Sequence, residues 1–211
     1  MAEPGAHVLA IRDVGERGLL VEVDTPASVR GLARWVHAQE RASELEEVVP
    51  AARTVFLTGA APALRWFAAA VAAVELPESE HSTGRAVEIS VVYDGDDLAD
   101  VATRTGLSVA EVISHHRDAE HVVGFFGFSP GQAFLEGVPP VLRLPRHASP
   151  RTRVPPDSLG IANEFTTIYP RASPGGWNLI GRSVGMPLWD SRKTPPNVLQ
   201  VGDRVIFREP R

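Results

Sequence analysis

The stretch SLGIANEFTTIYPRASPGGWNLIGRS, residues 158–183, contains short runs of β-forming residues separated by turns rich in Gly and Pro. Similar runs recur along the second half of the chain, roughly every ten residues or at somewhat longer intervals. They lie at 122–126, 158–162, 166–169, 179–183 and 204–208. Many short strands with turn signals between them predict a closed barrel or a sandwich.

Upstream of these runs, the sequence predicts one further strand and two helices. Residues 87–93 alternate as a strand does, and Asp97 can cap a short helix that runs to about residue 103. Ser108 and Glu111 have the S-x-x-E spacing of a capping box, in which each side chain satisfies a backbone N–H of the other residue. The capping box predicts a helix from 109 to about 116.

The first 80 residues have a different pattern, in which strands alternate with amphipathic helices. Thr25 and Pro26 are typical of a helix start, and apolar residues follow at helical spacing to about residue 41. A second helix begins at Pro62. With strands at 7–12, 18–24, 45–51 and 54–58, the order is β-β-α-β-β-α. We therefore expect an α+β fold with a small domain over 1–80 and a second domain over 85–211.

Composition and charge narrow the functional classes. The chain has 211 residues, 26 acidic and 21 basic side chains and no Cys, and 12 of its 18 Gly and 13 of its 18 Pro follow residue 84. A net charge of −5 disfavours nucleic-acid binding, which depends on clustered positive charge. The longest apolar run, 66–74, is far shorter than the roughly 20 residues that span a membrane. We expect a cytoplasmic protein that binds neither nucleic acid nor membranes.

Two motifs resemble catalytic or metal-binding motifs but lack a feature that such sites require. Residues 127–131 match G-x-S-x-G, but the residue after Ser129 is Pro130, which has no N–H to donate to an oxyanion. No phosphate-binding P-loop occurs. His115 and His116 are adjacent, so on a helix they point about 100° apart and are poorly placed to chelate one metal ion. We predict no metal site.

Two other segments are candidates for ligand binding. Four arginines, Arg143, Arg146, Arg151 and Arg153, occur within 11 residues without an acidic neighbour, and such a cluster either binds an anion or forms a solvated face. The loop 173–177, SPGGW, is either a binding loop or a tight turn that carries a core Trp177.

Several motifs occur in a fixed order, and together they resemble one family. They are ISHHRDAEHVVGFFGF (113–128), GFSPG (127–131), LPR (144–146), PRTRVP (150–155), SLGIA (158–162), IYP (168–170), SPGGWNLIGR (173–182) and VGDRV (201–205). This order resembles the PxpB/KipI family, which comprises the B component of 5-oxoprolinase and proteins formerly labelled allophanate hydrolase subunit 1. The resemblance covers 85–211, and residues 15–23 also resemble the start of the family.

The resemblance implies a fold, an activity and partners. The fold would be a small α+β domain followed by a cyclophilin-like β-barrel. The partner would be a larger subunit of the PxpC, KipA or allophanate hydrolase subunit 2 type. With a third subunit of the PxpA type, the complex would use ATP to open 5-oxoproline to glutamate. The ATP would be used by the assembled complex. Biotin is a possible cofactor only by analogy with urea carboxylase.

The resemblance also implies site residues. His116 would act as an acid/base group and Tyr169 and several arginines would bind the anion, beside loops that close the site. The arginines are Arg146, Arg151, Arg153 and Arg182, and the loop residues are Phe128, Pro130, Gly131, Pro174, Gly175, Gly176 and Trp177. Two other functions are alternatives to a hydrolase subunit. The chain could be a regulatory protein that inhibits a histidine kinase, as one family member does, or a stand-alone prolyl isomerase.

The chain departs from the family pattern in two places. The family reads close to GIAGGQTGIYP, whereas here Asn163, Glu164 and Phe165 follow Gly160-Ile161-Ala162. The family segment that resembles PGFPYL reads PGQAFL at 130–135. These differences bear on the substrate more than on the fold.

Overall fold

A computed structural model describes residues 7–75, 84–185 and 187–210. The chain divides into two units, Met1–His81 and Ser82–Arg211, which we call the N-terminal unit and the barrel unit.

The N-terminal unit contains a four-stranded antiparallel sheet and two helices. Its strands are ordered β1-β2-β4-β3 in the sheet. The elements are β1 (Val8–Val14), β2 (Gly18–Val23), α1 (Pro26–His37), a 3₁₀ helix (Glu40–Glu44), β3 (Leu45–Pro50), β4 (Thr54–Gly59) and α2 (Ala61–Ala73). The predicted order β-β-α-β-β-α is confirmed.

Local sequence explains where α1 begins and ends. Thr25 Oγ1 accepts a hydrogen bond from the Ser28 backbone N–H at 3.1 Å, and Pro26 occupies the first turn, where no N–H is needed. The helix ends at His37 rather than near 41 because Gln39 is extended and a separate 3₁₀ helix follows. The apolar stripe of α1 packs into a core with α2 and the sheet.

Seven strands of the barrel unit form a closed barrel in the order β10-β7-β6-β13-β5-β12-β9. The pairing of β13 with β5 is parallel, and the other pairings are antiparallel. The elements are β5 (Ala86–Val92), α3 (Leu98–Thr105), α4 (Val109–Arg117), β6 (His121–Phe126), β7 (Ala133–Glu136), a 3₁₀ helix (Pro140–Leu142), β8 (Arg151–Val154), β9 (Ser158–Ala162), β10 (Phe165–Ile168), β11 (Ser173–Gly175), β12 (Asn178–Ser183) and β13 (Arg204–Arg208). The predicted α+β fold with a barrel is confirmed.

Three strands of the barrel unit are not predicted by the sequence: β7, and the pair β8 and β11, which form a separate two-stranded sheet. These strands are three or four residues long, too short to show a period. The sheet of β8 and β11 holds the Arg-rich segment against the SPGGW loop.

The two predicted helix caps of the barrel unit have different outcomes. The capping box at Ser108 and Glu111 is present, with both reciprocal hydrogen bonds. Asp97 occupies the N-cap position of α3, but its side chain makes no capping hydrogen bond. The prediction for the Asp97 side chain is therefore wrong, because its carboxylate binds Arg151 and the Leu179 backbone N–H instead.

Buried apolar side chains form one large cluster in the barrel unit, and α3 and α4 contribute to it. Within the described residues, no helix has the length and apolar character needed to cross a bilayer.

Candidate functional site

A cavity of about 140 Å³ gathers side chains that lie far apart in the sequence of the barrel unit. We call it the Trp177 cavity. Its lining residues are Phe128, Gln132, Phe134, Arg146, Tyr169, Pro174, Gly175, Gly176 and Trp177. All of them except Gln132 and Phe134 are residues that the sequence analysis assigns to a site.

Aromatic rings form much of the cavity wall. Phe134, on β7, makes an edge-to-face contact with Trp177, with 5.6 Å between the ring centroids. Phe134 also stacks on Phe125, with 4.6 Å between centroids and 6° between the ring planes. Such pairs contribute about 0.5–1.5 kcal/mol each beyond their buried area. The cavity wall is therefore built from aromatic rings that also stabilise one another.

Glycine at 175 is required by the packing of Tyr169. A Cβ atom at Gly175 would collide with the Tyr169 Oη atom. The neighbouring Gly176 accepts a hydrogen bond through its carbonyl from the His147 backbone N–H, at 2.7 Å. The segment 173–177 carries the predicted buried Trp177, but Ser173–Gly175 forms strand β11 rather than a tight turn. It also lines the cavity, and its role in binding stays a prediction.

The turn between β6 and β7 brings Phe128 to the cavity. Phe128 has φ of 64°, in the left-handed region, and its side chain is 71% exposed. A non-glycine residue in this conformation costs on the order of 1 kcal/mol. Gly131 also has positive φ, and a Cβ there would collide with Trp189. Pro130 belongs to the same turn but does not line the cavity.

Arg146 gives the cavity a positive charge. Its guanidinium lies 5.5 Å from the centroid of the Trp177 ring, a cation–π distance. Within the described ranges it forms no ion pair with a carboxylate. Burial raises the pKa of the Tyr169 hydroxyl, although Arg146, the Trp177 backbone N–H and Arg151 oppose this effect. A cationic group beside a neutral phenol suits an anionic ligand.

Arg151 is engaged outside the cavity, by Asp97. Its Nη2 donates to Asp97 Oδ1 at 2.5 Å, and Asp97 Oδ2 accepts from the Leu179 backbone N–H at 2.6 Å. Burial would raise the pKa of Asp97, but the hydrogen bonds from Arg151 and Leu179 outweigh it and the pKa is lowered. The carboxylate therefore compensates the charge of Arg151.

His147 completes this cluster without a good hydrogen bond. Its Nε2 lies 3.3 Å from Asp97 Oδ2, within ion-pair distance, but the buried Nε2 atom has no partner with hydrogen-bond geometry. Because His147 also binds Gly176 through its backbone, Asp97, His147 and Arg151 together hold the Arg-rich segment in place.

The remaining predicted arginines lie elsewhere on the barrel. Arg153 is exposed on β8. Arg182, on β12, donates to Asp94 at 3.0 Å and lines a different cavity of about 180 Å³. Of the four arginines assigned to the anion, Arg146 alone lines the Trp177 cavity.

His116 is fully buried, at 0% exposure, and does not line the Trp177 cavity. Its Nδ1 lies 2.9 Å from Tyr93 Oη and its Nε2 lies 3.0 Å from Thr166 Oγ1, so both ring nitrogens are within hydrogen-bond distance of a partner. Burial, and to a smaller extent His121, holds the pKa of His116 well below its usual value. A catalytic role for His116 stays a prediction, and this environment favours a neutral imidazole that supports the barrel.

His121 extends the buried network. Its Nε2 donates to the His116 backbone carbonyl at 2.7 Å, whereas its Nδ1 has no hydrogen-bond partner. Burial lowers the pKa of His121 as well. Both imidazoles pack against Phe207 of β13.

The sequence analysis overlooks four residues at or beside the site: Gln132, Phe134, Asp97 and His147. No local signal marks Gln132 and Phe134, because β7 is only four residues long and Gln132 lies just before it. The contact of Asp97 with a residue 54 positions away leaves no local signal. Within the part of the chain that the structure describes, no group of three or more His, Asp or Glu side chains is arranged to hold a metal ion.

Comparison with protein families gives a match over most of the chain. The family described as carboxyltransferase domain, subdomain C and D, matches residues 9–199. The curated B component of the 5-oxoprolinase of Escherichia coli O157:H7 is 37% identical over 210 residues, covering 92% of this chain and 93% of its own length.

Solved structures show the same architecture within longer chains. The crystal structure of TTHA0988 is 36% identical with a TM-score of 0.77 and covers 92% of this chain, which spans 40% of the TTHA0988 chain. The Kluyveromyces lactis urea carboxylase, at 19% identity, shares the fold with a TM-score of 0.73 over 95% of this chain and 22% of its own. With the family match over 191 residues and the identity to a relative of similar length, the chain belongs to the PxpB family, the B components of 5-oxoprolinases.

Proposed function

We propose that this chain is the B-type component of an ATP-dependent hydrolase that opens 5-oxoproline, and that the Trp177 cavity is its part of a site shared with a larger carboxyltransferase-like subunit. One observation carries the proposal: the cavity brings together seven site residues predicted from four separate stretches of the sequence. A relative of similar length, named as a component of 5-oxoprolinase, supports the same substrate.

The chemistry of the cavity suits this substrate. 5-Oxoproline is a small ring that carries a carboxylate and a lactam carbonyl. Arg146 can pair with the carboxylate, because a guanidinium binds carboxylates through two parallel N–H donors. Phe134 and Trp177 can contact the ring. The sequence has no P-loop, so we assign the use of ATP to the assembled complex.

The test is reconstitution with the larger and third subunits, followed by measurement of ATP hydrolysis and glutamate formation in the presence of 5-oxoproline. We expect turnover by the complex and none by this chain alone. Arg146→Gln should raise the KM for 5-oxoproline at least tenfold. The matched control is Arg204→Gln, which changes an exposed side chain on β13 outside the cavity and should alter KM less than twofold. A stable complex that does not hydrolyse 5-oxoproline contradicts the proposal.

A second function, regulation of a protein kinase by docking, is favoured by one observation. Phe128 is a large apolar side chain, 71% exposed beside the cavity. Exposed aromatic residues next to a pocket are typical anchors of protein interfaces. In that case the chain would bind and inhibit a histidine kinase without the larger subunit, and Phe128→Ser would abolish the binding.

A further inference from the structure

Gln132 is a buried polar side chain on the wall of the Trp177 cavity, with 2% exposure. Its Oε1 accepts a hydrogen bond from Ser129 Oγ at 3.2 Å. Its Nε2 has no hydrogen-bond partner among the residues that the structure describes. This atom is not one of the fully buried unsatisfied atoms of the described residues, so it is accessible, and a ligand in the cavity can supply the missing acceptor.

A second donor group reaches the same cavity without an acceptor. The Arg146 guanidinium contacts the face of the Trp177 ring and, within the described ranges, forms no ion pair. The cavity therefore offers one charged donor and one neutral donor, next to an aromatic wall. A matching ligand has a carboxylate, a second and uncharged acceptor, and an apolar ring.

Gln132 lies in the segment 130–135, one of the two places where the chain departs from the family pattern. Where the family segment PGFPYL has Phe and Tyr, this chain has Gln132 and Phe134. Residues 132 and 134 both line the cavity. The segment therefore places one neutral hydrogen-bonding group, Gln132, on the cavity wall.

We propose that Gln132 Nε2 donates to the ring carbonyl of a small cyclic carboxylate whose carboxylate group pairs with Arg146, so that this chain alone binds lactam carboxylates. The identity of the ligand rests on the proposed function, whereas the roles of the two donors rest on the geometry of the cavity. Gln132 is then the residue that distinguishes a lactam from a simple ring carboxylate.

The experiment is a titration of the full chain, followed by the indole N–H resonance of Trp177 in proton–nitrogen correlation spectra. Three probes separate the groups of the ligand. 5-Oxoproline has both the carboxylate and the carbonyl, cyclopentanecarboxylate has no ring carbonyl, and 2-pyrrolidone has no carboxylate. We expect 5-oxoproline to bind most tightly.

Variants then assign the donors. Gln132→Met has a similar volume and no donor, and it should raise the Kd of 5-oxoproline about 3- to 10-fold, as expected for one hydrogen bond, with less than a twofold change for cyclopentanecarboxylate. Arg146→Met should weaken both carboxylates at least tenfold and leave 2-pyrrolidone unchanged. The control Gln200→Met makes the same change at an exposed position outside the cavity.

Three outcomes overturn the proposal: no shift of Trp177 with any probe, an equal loss of both carboxylates in Gln132→Met, or no loss of either. A melting temperature for Gln132→Met within about 3 °C of the parent shows that the fold is intact, and Ser129→Ala gives a second variant that alters Gln132 without replacing it. If the complex fails to hydrolyse 5-oxoproline while these binding differences hold, the proposed function fails and this inference stands.

Discussion

The cores of the N-terminal unit and the barrel unit differ in how many polar side chains they bury. Among the described residues, the N-terminal unit buries one polar side chain, Ser28, whereas the barrel unit buries ten. These ten are Asp97, His116, His121, Gln132, Ser158, Thr166, Thr167, Asn178, Ser183 and Asp203. The core of the first unit is thus explained by apolar packing, and that of the second needs hydrogen-bond partners as well.

This difference shows where the barrel unit is vulnerable. A buried polar group destabilises a protein unless it is hydrogen-bonded, so each of these ten side chains depends on a partner. Several partners lie far away in the sequence, such as Thr166 for His116 and Arg151 for Asp97. Single polar substitutions should therefore affect the barrel unit far more than the N-terminal unit.

The largest effect is expected for Asp97→Ala. The substitution leaves Arg151 and the Leu179 N–H without their acceptor, and should lower the free energy of unfolding of the barrel unit by about 2–3 kcal/mol. Urea unfolding followed by hydrogen exchange, which resolves the two units, measures it. Asp94→Ala breaks an exposed ion pair with Arg182 and should cost less than about 0.5 kcal/mol. Equal losses in the two variants would show that burial of the acceptor is not what makes the barrel unit vulnerable.

The second effect concerns pH. Burial lowers the pKa of His116 and of His121 in the folded state, so the unfolded chain binds protons more readily. The stability from the neutral imidazoles is fully present above the unfolded pKa of about 6.5 and is lost as the pH falls below it. From pH 7 to 5.5 we expect a loss of about 1 kcal/mol from His116, whose pKa is lowered the more strongly, and a smaller loss from His121.

Replacement of His116 tests this pH dependence. His116→Gln should remove the larger part of the loss of stability between pH 7 and 5.5, and His121 should account for the remainder. His37→Gln changes an exposed side chain at the end of α1 and should leave the dependence as it is. The lowered pKa of Asp97 acts only near and below pH 4, outside this window. Melting temperatures across this pH range provide the measurement.

A smaller and equal effect in both units is expected from the helix caps. Thr25→Ala removes the acceptor at the start of α1, and Ser108→Ala removes the one at the start of α4. Each should cost about 1 kcal/mol, because each leaves one backbone N–H of the first turn without its partner. Chemical denaturation with segment-resolved hydrogen exchange compares them, and a threefold difference would show that the surrounding unit modifies local energies.

The smallest effect on stability is expected for Phe128→Gly. Glycine adopts the left-handed conformation without strain, and the exposed ring contributes little to packing, so the free energy of unfolding should change by less than about 1 kcal/mol. Binding of a partner or ligand at the Trp177 cavity should nevertheless weaken several-fold. A large loss of stability would show instead that Phe128 is a structural residue of the barrel.

The fold is predictable from the sequence where its signals are local. Apolar spacing in α1, the turn signals between strands and the capping box at Ser108 all involve residues a few positions apart. Strand β7 is four residues long, and β8 and β11 stand among prolines, so their formation depends on pairing with distant strands. The capping prediction for Asp97 is wrong for the same reason. Its carboxylate binds Arg151, which lies far away in the sequence, instead of capping the helix.

The candidate site is predictable in part. Family motifs lead to Arg146, Tyr169 and the SPGGW loop, which meet at one cavity. They do not distinguish Arg146 from Arg151, because the compensating Asp97 lies far away in the sequence. Nor do they reveal the burial of His116, which depends on Tyr93, Thr166 and Phe207 from three other strands or their ends.

The parallel pairing of β13 with β5 has a consequence for biosynthesis. β5 begins at Ala86 and β13 ends at Arg208, and β13 lies between β5 and β6 in the barrel. During translation, strands β5 to β12 emerge before the strand that joins β5 to β6. The barrel therefore cannot close on the ribosome until residue 208 has been made, and until then β5 and β6 each have an open edge to which a chaperone or another nascent chain can bind.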